Sequence, residues 1–269
     1  MELEPAADFR RDTTVERLGE GRFESLIHGA WSGPPGPNGG YVAALLLRAI
    51  EAAVGDPQRA PRSLTVHYLR PPVTGPVEIG VEVERSGRTA TSCSARMLQG
   101  GATTCLALCV LSGEFEPHAE WATPPPDAPP PESVEPMDTS FLPPRIFRQL
   151  EMRMLFGGIP FTGTEGVAGG WTRTRVPCPL EPELLAMYSD AWWPAHFPRL
   201  QGMALAPTLD LTIHFRGKPP PGDHEHVLCR FTSGTSTHGF FEEDGQLWSA
   251  DGTLLAQSRQ LGLIRPWKG

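Results

Sequence analysis

The sequence predicts an α+β protein built from two similar halves, each a curved antiparallel sheet wrapped around a helix. A strand-like pattern occurs twice, as RSLTVHYLRP at residues 62–71 and as TLDLTIHFRG at residues 208–217, and its matching residues are 147 positions apart. In each half a helical segment precedes a series of strands, and a proline-rich stretch separates the halves. We therefore expect one supersecondary unit present twice, with the two copies side by side.

The first half, residues 1–115, contains a strand, a long helix and four further strands. Residues 21–31 alternate as a strand does, and a turn-rich loop leads to the helical segment YVAALLLRAIEAAVG at residues 41–55. Asn38 is the predicted N-cap of this helix. The segments SLTVHYLRP, PVEIGVEVERSGR, TATSCSARMLQGG and ATTCLALCVLSGEF then alternate as strands, with glycines marking the turns. This order predicts a sheet curled around a central helix.

Residues 116–144 are rich in proline, which cannot donate ladder hydrogen bonds, so this stretch is predicted to be an extended connector. The second half, residues 145–269, opens with the strand candidates IFRQLEMRMLF and GGWTRTRVP. A shorter helix is predicted over residues 181–197, ended by Pro194, and strands follow it to the C-terminus. The same order of elements in both halves supports a duplication.

Composition limits the function. The net charge is −8 and there is no block of Lys or Arg, which disfavours nucleic acid as a partner. No signal peptide is evident, and no segment reaches the roughly 20 apolar residues of a membrane span, so a soluble cytoplasmic protein without a membrane partner is expected. The five cysteines form no CxxC pair and no metal-ligand spacing, and they are expected to be buried thiols.

The two copies of the repeat differ at one informative position. The second copy has Asp210 where the first has Ser63, which suggests that only one half keeps a chemical task. His67 and His214 occupy the same position in both copies, and a residue kept in both is expected to be structural.

Several segments together resemble the double-hotdog acyl-CoA thioesterases of type II: NGGYVAALLLRA, SLTVHYLRPP, TLDLTIHFR, TSGTSTHGF and DGTLLAQSRQLGLIR. The resemblance implies a double hotdog, in which two curved antiparallel sheets each wrap a central helix. It also implies thioester hydrolysis without a cofactor or a metal, by a water molecule held by an aspartate, a hydroxyl and a glutamine. These three residues fall on Asp210, Thr232 and Gln260.

The residue types suit that chemistry, because a carboxylate can take a proton from water while a hydroxyl and an amide hold it. Ser233 and Thr235 remain alternatives to Thr232 as the hydroxyl. Asn38, Gly39 and Gly40 precede the long helix, whose first amides are able to bind an anion or a carbonyl oxygen of the substrate. A plain helix cap explains the same three residues equally well.

The expected function is hydrolysis of an acyl-CoA, or of an acyl group on a carrier, to the free acid and thiol. Two other functions remain open: a hotdog enoyl-thioester hydratase or dehydratase, and a protein that binds acyl thioesters without turning them over. The GDxNPLH-like segment typical of the hydratases is absent. Exposed sheet faces and edges favour a homodimer or a larger homo-oligomer.

Overall fold

A computed structural model describes residues 7–33, 36–140, 142–218 and 225–267. The elements of the first half are α1 (Phe9–Asp12), β1 (Glu16–Gly19), β2 (Arg22–Ile27), β3 (Ser32–Gly33), β4 (Gly36–Pro37), α2 (Gly39–Val54), β5 (Ala60–Tyr68), β6 (Gly75–Ser86), β7 (Ala90–Gln99) and β8 (Ala102–Ser112). The elements of the second half are β9 (Leu150–Gly157), β10 (Val167–Thr174), α3 (Pro182–Tyr188), β11 (Ala204–Leu205), β12 (Thr208–Phe215), β13 (Val227–Thr232), β14 (Ser236–Thr237), β15 (Phe240–Ser249), β16 (Leu254–Leu263) and β17 (Arg265–Pro266).

Thirteen strands form one antiparallel sheet in the order β1-β2-β6-β7-β8-β5-β12-β16-β15-β13-β10-β9, with β14 beside β15. The two copies of the sequence repeat, β5 and β12, are neighbours at its centre. Thr65 lies directly opposite Thr212, and their hydroxyl oxygens are 3.0 Å apart. The repeated threonines therefore meet where the two halves join, as expected for twin units related by a local two-fold axis.

Helix α2 provides the core of the first half. Asn38 caps it, as the sequence predicted, and Gly55 ends it in the left-handed conformation (φ 64°), which glycine adopts without strain. Its residues from Gly40 to Leu47 are all buried, and the helix packs on β5, β6, β7 and β8. Helix α3 packs against α2, so a single hydrophobic core continues from one half into the other.

The predicted α+β chain of mostly antiparallel strands is confirmed, but two details differ. The two sheets are one, because β5 and β12 would otherwise leave unpaired edges in the middle of the molecule. The second helix spans seven residues, Pro182–Tyr188, and not the predicted 181–197. Beyond it the chain turns through Asp190, whose side chain binds the start of α2, and reaches Pro194. A long central helix therefore occupies only the first half of the described chain.

The described part of the proline-rich stretch forms no strand, and it contains a short 3-10 turn at Pro131–Ser133. It runs along the outer face of the second half. The indole nitrogen of Trp171 donates to the Pro129 carbonyl at 2.9 Å, and that of Trp248 donates to the Thr123 carbonyl at 3.3 Å. The connector therefore covers an aromatic patch that the sheet would otherwise expose.

The five cysteines are buried and free, as the sequence predicted. Among the described residues, no helix is both long enough and apolar enough to cross a lipid bilayer.

The interface between α2 and α3 contains a group of carboxyls. Arg48 of α2 forms ion pairs with Glu183 at 3.1 Å and with Glu181 at 3.3 Å. Glu51 lies one turn further along α2. Burial raises the pKa of Glu51 well above its ordinary 4.5, and the nearby charge of Glu183 and a hydrogen bond to it add to the rise.

Replacing Glu51 with Gln tests this account. Between pH 4.5 and its raised pKa of about 9, Glu51 is protonated in the folded wild-type protein and ionised in the unfolded chain. The free energy of unfolding should therefore fall as the pH rises from about 4.5 into the alkaline range, by at most about 1.4 kcal/mol per pH unit. Glu51→Gln should lose this part of the slope. Urea unfolding at pH 5, 7 and 9 measures it, with the exposed Glu78→Gln as the control. An unchanged slope in Glu51→Gln would contradict the assignment.

Candidate active site

Asn38 ties the first turn of α2 to the second half of the chain. Its Oδ1 accepts a hydrogen bond from the Tyr41 amide at 2.9 Å, which caps the helix. Its Nδ2 donates to the Asp190 carbonyl oxygen at 2.6 Å and to Asp190 Oδ2 at 3.0 Å. One side chain therefore starts the helix and also binds a residue 152 positions later.

The two glycines that follow lie too close to the second half to carry side chains. A Cβ on Gly40 would lie 2.6 Å from the carbonyl oxygen of Ala186 and 2.7 Å from that of Met187. A Cβ on Gly39 would lie 2.9 Å from Asp190 Oδ2, and the Gly40 amide donates to the same oxygen at 3.2 Å. The first amides of α2 thus face a carboxylate of the chain itself.

Asp190 follows α3 and is partly buried. Loss of contact with water is the largest influence on its carboxyl, and it raises the pKa of Asp190 from 3.8 to about 6. The amides of Gly40 and Gly39 and the side chains of Gln260 and Asn38 favour the charged form and limit the rise. A carboxyl that titrates near neutral pH is well suited to accept a proton from water and later release it.

Gln260 lies on the inner face of the sheet beside these groups and is buried. Its strand, β16, runs between β12 and β15, so Gln260 is opposite Leu211 on one side and Glu243 on the other. Its Oε1 accepts from the Thr208 hydroxyl at 2.8 Å, and its Nε2 donates to Glu243 Oε1 at 2.6 Å. The amide is therefore held at both ends.

Glu243 is a buried acid in the middle of a strand. Burial raises the pKa of Glu243 from 4.5 to about 8, the amide of Ala195 and the side chain of Gln260 oppose the rise, and the charges of Asp190 and Glu242 add to it. Asp190 and Glu243 thus form a pair of acids whose pKa values lie near neutrality, with Gln260 near both. Perturbed acids gathered at one place are typical of active sites.

Asp210 begins the regular part of β12, after a bulge at residue 209. It lies opposite Leu261 on one side and His67 on the other, and its neighbour Leu211 is opposite Gln260. On a regular strand this register would direct Asp210 and Gln260 to opposite faces of the sheet, but the bulge immediately before Asp210 interrupts the alternation there.

The carboxylate of Asp210 nevertheless acts on the inner-face residue Tyr68. Burial, and then the charges of Asp190, Cys105 and Asp210, raise the pKa of Tyr68. Its hydroxyl donates to the Gly39 carbonyl at 2.7 Å, at the start of α2.

Thr232 ends β13, opposite Asp244 on one side and Val167 on the other. It lines an open cleft of about 440 Å³ together with Arg199. The next residue, Ser233, is 3% exposed, and alternation directs it to the face that carries Glu243 and Gln260. Ser233 is therefore a second candidate for the hydroxyl that acts beside Gln260.

Of the residues singled out from the sequence, the structure brings Asn38, Gly39, Gly40 and Gln260 together around Asp190. Among the described residues, neither the Asp210 nor the Thr232 side chain forms a hydrogen bond to Gln260, and no group of His, Cys, Asp and Glu is arranged to hold a metal ion.

Two acids of this site, Asp190 and Glu243, were missed by sequence reasoning. Glu243 could have been found, because it falls in phase with the inward residues Phe241 and Leu247 of an alternating strand. Asp190 carries a weaker signal, an acid in the otherwise apolar run before Pro194.

Domain families of known proteins match both halves. The acyl-CoA thioesterase N-terminal domain matches residues 27–113, and the acyl-CoA thioesterase C-terminal domain matches residues 122–264. The chain therefore belongs to the acyl-CoA thioesterase family, and it is a thioester hydrolase.

Solved structures agree on the fold. A hotdog protein of unknown function from Alicyclobacillus acidocaldarius has a TM-score of 0.86 at 25% identity, covering 96% of this chain and 98% of its own. A candidate thioesterase II from Thermobifida fusca has a TM-score of 0.82 at 27% identity, covering 98% of this chain and 100% of its own. The hotdog architecture implied by the sequence is confirmed.

Among relatives in sequence, an uncharacterized protein of Mycobacterium tuberculosis is 26% identical over 274 residues, which cover 90% of each chain.

The contact between the two halves makes a prediction about Gly40. Gly40→Ala should lower the free energy of unfolding by about 1–3 kcal/mol, because the new methyl group meets two backbone carbonyls that cannot rotate away. Gly80→Ala is the matched control, since a Cβ there has nothing within 4 Å. Urea unfolding of both variants measures the difference, and equal stability of the two would show that the halves separate easily.

Proposed function

We propose that the chain hydrolyses the thioester of an acyl-CoA to the free acid and thiol. The observation that carries the proposal is the buried amide of Gln260, held beside two acids and the start of α2 in a chain of the acyl-CoA thioesterase family. Acyl groups on a carrier protein are the second substrate class. We assign one hotdog unit to each half. In the second unit, α3 is the shortened counterpart of α2.

In the proposed reaction, the oxygen of a water molecule attacks the carbonyl carbon of the thioester while a carboxylate takes one of its protons. The carbon–sulfur bond then breaks, the carboxyl returns the proton to the departing thiolate, and the acid keeps the water oxygen. We assign the carboxylate to Asp210 and the contacts to the water to Gln260 and to Thr232, which is the last residue of β13, where the regular alternation of the strand stops. Ser233 is the alternative hydroxyl, supported by its burial.

Asp190 supplies a second carboxylate to this proposal. Asp190 already accepts the hydrogen bond of the Gly40 amide, so a substrate carbonyl would reach the start of α2 only by displacing the Asp190 carboxylate. The proposal therefore gives Asn38, Gly39 and Gly40 the task of holding Asp190 at the edge of the site. With its pKa near 6, Asp190 would be ionised and able to act as a base above that pH.

The two other functions predict different products. Free thiol released from a panel of acyl-CoAs supports hydrolysis. A hydratase would hydrate crotonyl-CoA without releasing thiol, and a binding protein would gain thermal stability from acyl-CoA without turnover.

Asp210→Asn and Asp190→Asn, measured in parallel, separate the two carboxylates. Asp210→Asn should lower kcat by on the order of 100-fold or more, the usual contribution of a general base, with little change in Tm. Thiol release over a range of pH values measures this, and Glu78→Gln, an exposed carboxylate on β6, is the control.

Wild-type turnover in Asp210→Asn would remove Asp210 from the reaction. If Asp190→Asn then abolished turnover, the base would be Asp190 and hydrolysis would stand. Comparing the kcat of Thr232→Val with that of Ser233→Ala in the same thiol-release assay identifies which hydroxyl holds the water.

A further inference from the structure

The carboxyl group of Glu243 is buried, and both of its hydrogen-bond partners belong to the second half. Its side chain points inward from β15 in phase with Phe241, and the residue is only 4% exposed. One oxygen accepts from Gln260 Nε2 at 2.6 Å, and the other accepts from the backbone amide of Ala195. Neither the start of α2 nor the Asn38 side chain hydrogen bonds to it. Its polar partners are thus the Gln260 amide and one backbone group.

A glutamine amide has two nearly identical ends, and only its partners decide which end faces which way. Thr208, on one side of Gln260, does not decide, because a hydroxyl both donates and accepts. A carboxylate on the other side does decide, since it only accepts and would repel the amide oxygen. An ionised Glu243 therefore selects the orientation seen, with Nε2 toward Glu243 and Oε1 toward Thr208, and Asp190, which also accepts from the Gln260 side chain, favours the same orientation.

We infer that Glu243 is a positioning residue for the thioester hydrolase reaction: it fixes the orientation of the Gln260 amide and thereby aims its second N–H away from the sheet, toward Asp190. The inference rests on the proposed function, in which Gln260 holds the hydrolytic water. Glu243 itself does not contact the substrate in this account.

The groups around Glu243 make its effect depend on pH. The charge of Asp190 acts on it from the segment after α3, His196 packs on Phe241 two positions away on the strand, and Glu242, which forms an ion pair with Arg259, is its neighbour in sequence. Because Glu243 titrates at about 8, its acid form prevails at neutral pH and can donate its proton to a flipped Gln260. Ionisation removes that alternative. The fraction of correctly oriented amide should therefore rise as the pH increases through about 8.

A double-mutant cycle tests the inference. Glu243→Gln gives Gln260 an amide partner that tolerates both orientations, so kcat above pH 8, where the wild-type Glu243 is ionised, should fall by about tenfold to a hundredfold, the range seen when the partner that orients an active group is lost. KM should change little, and the rise in kcat through pH 8 should disappear. In a Gln260→Ala background, Glu243→Gln should have no further effect on kcat. Glu78→Gln again serves as the control.

Wild-type kcat in Glu243→Gln would overturn the inference, as would a loss of equal size in the Gln260→Ala background, since Glu243 would then act by another route. If Glu243→Gln fails to fold, the swapped variant Glu243→Gln with Gln260→Glu keeps one acid facing one amide. It should fold but hydrolyse poorly, and full activity would also overturn the inference.

A measurement independent of turnover separates this inference from the proposed function. In protein labelled with ¹⁵N-glutamine, the side-chain N–H signals of Gln260 should exchange slowly with solvent, and this protection should be lost in Glu243→Leu. Protected signals with no thiol released from any acyl-CoA would remove the proposed substrate but keep the orienting contact. Signals that exchange equally fast in both proteins would remove the contact itself.

Discussion

The carboxylate of Asp190 binds the first turn of a helix that begins 150 residues earlier in the chain, and the site depends on this contact. It forms because Gly39 and Gly40 have no side chains, so the start of α2 approaches α3 closely enough for backbone amides to reach the acid. Once α2 and α3 are fixed in this way, the inner face of the neighbouring strands, with Gln260 and Glu243, lies beside the same point. Loss of that close approach would separate the acids from the amides that stabilise them.

Three partly or fully buried carboxyls, Glu51, Asp190 and Glu243, have raised pKa values for the same reason, which is loss of water around a group that is normally charged. Such groups lower the stability of the folded state at neutral pH. Apolar residues of similar size would pack in these positions at less cost. At Asp190 and Glu243 the polar partners converge on one glutamine, which is the arrangement expected where function has been kept at the expense of stability. At Glu51 the partners are charges between two helices, and the consequence is structural.

Much of the fold followed from local pattern. The repeated strand predicted twin units side by side, and the structure pairs those same strands with Thr65 facing Thr212. The cap at Asn38 followed from its residue type and position. The long second helix was wrong, because helix propensity in residues 181–197 competes with the demand that Asp190 leave the helix and face α2. Asp190 and Glu243 as site residues were missed because their partners are distant in sequence, which no local period reports.

The pairing of β5 with β12 also changes the meaning of the asymmetry between the repeats. Asp210 lies opposite His67, and the equivalent position in the first copy, Ser63, lies opposite His214. The repeated histidine therefore lies opposite a carboxylate in the first copy, where it is His67, and opposite a hydroxyl in the second copy, where it is His214. On the inner face the halves contribute different things: the first provides the helix amides, and the second provides the acids and Gln260. Neither half contains the whole set of groups, so the two halves divide the tasks between them, and these groups come together only where the two halves meet.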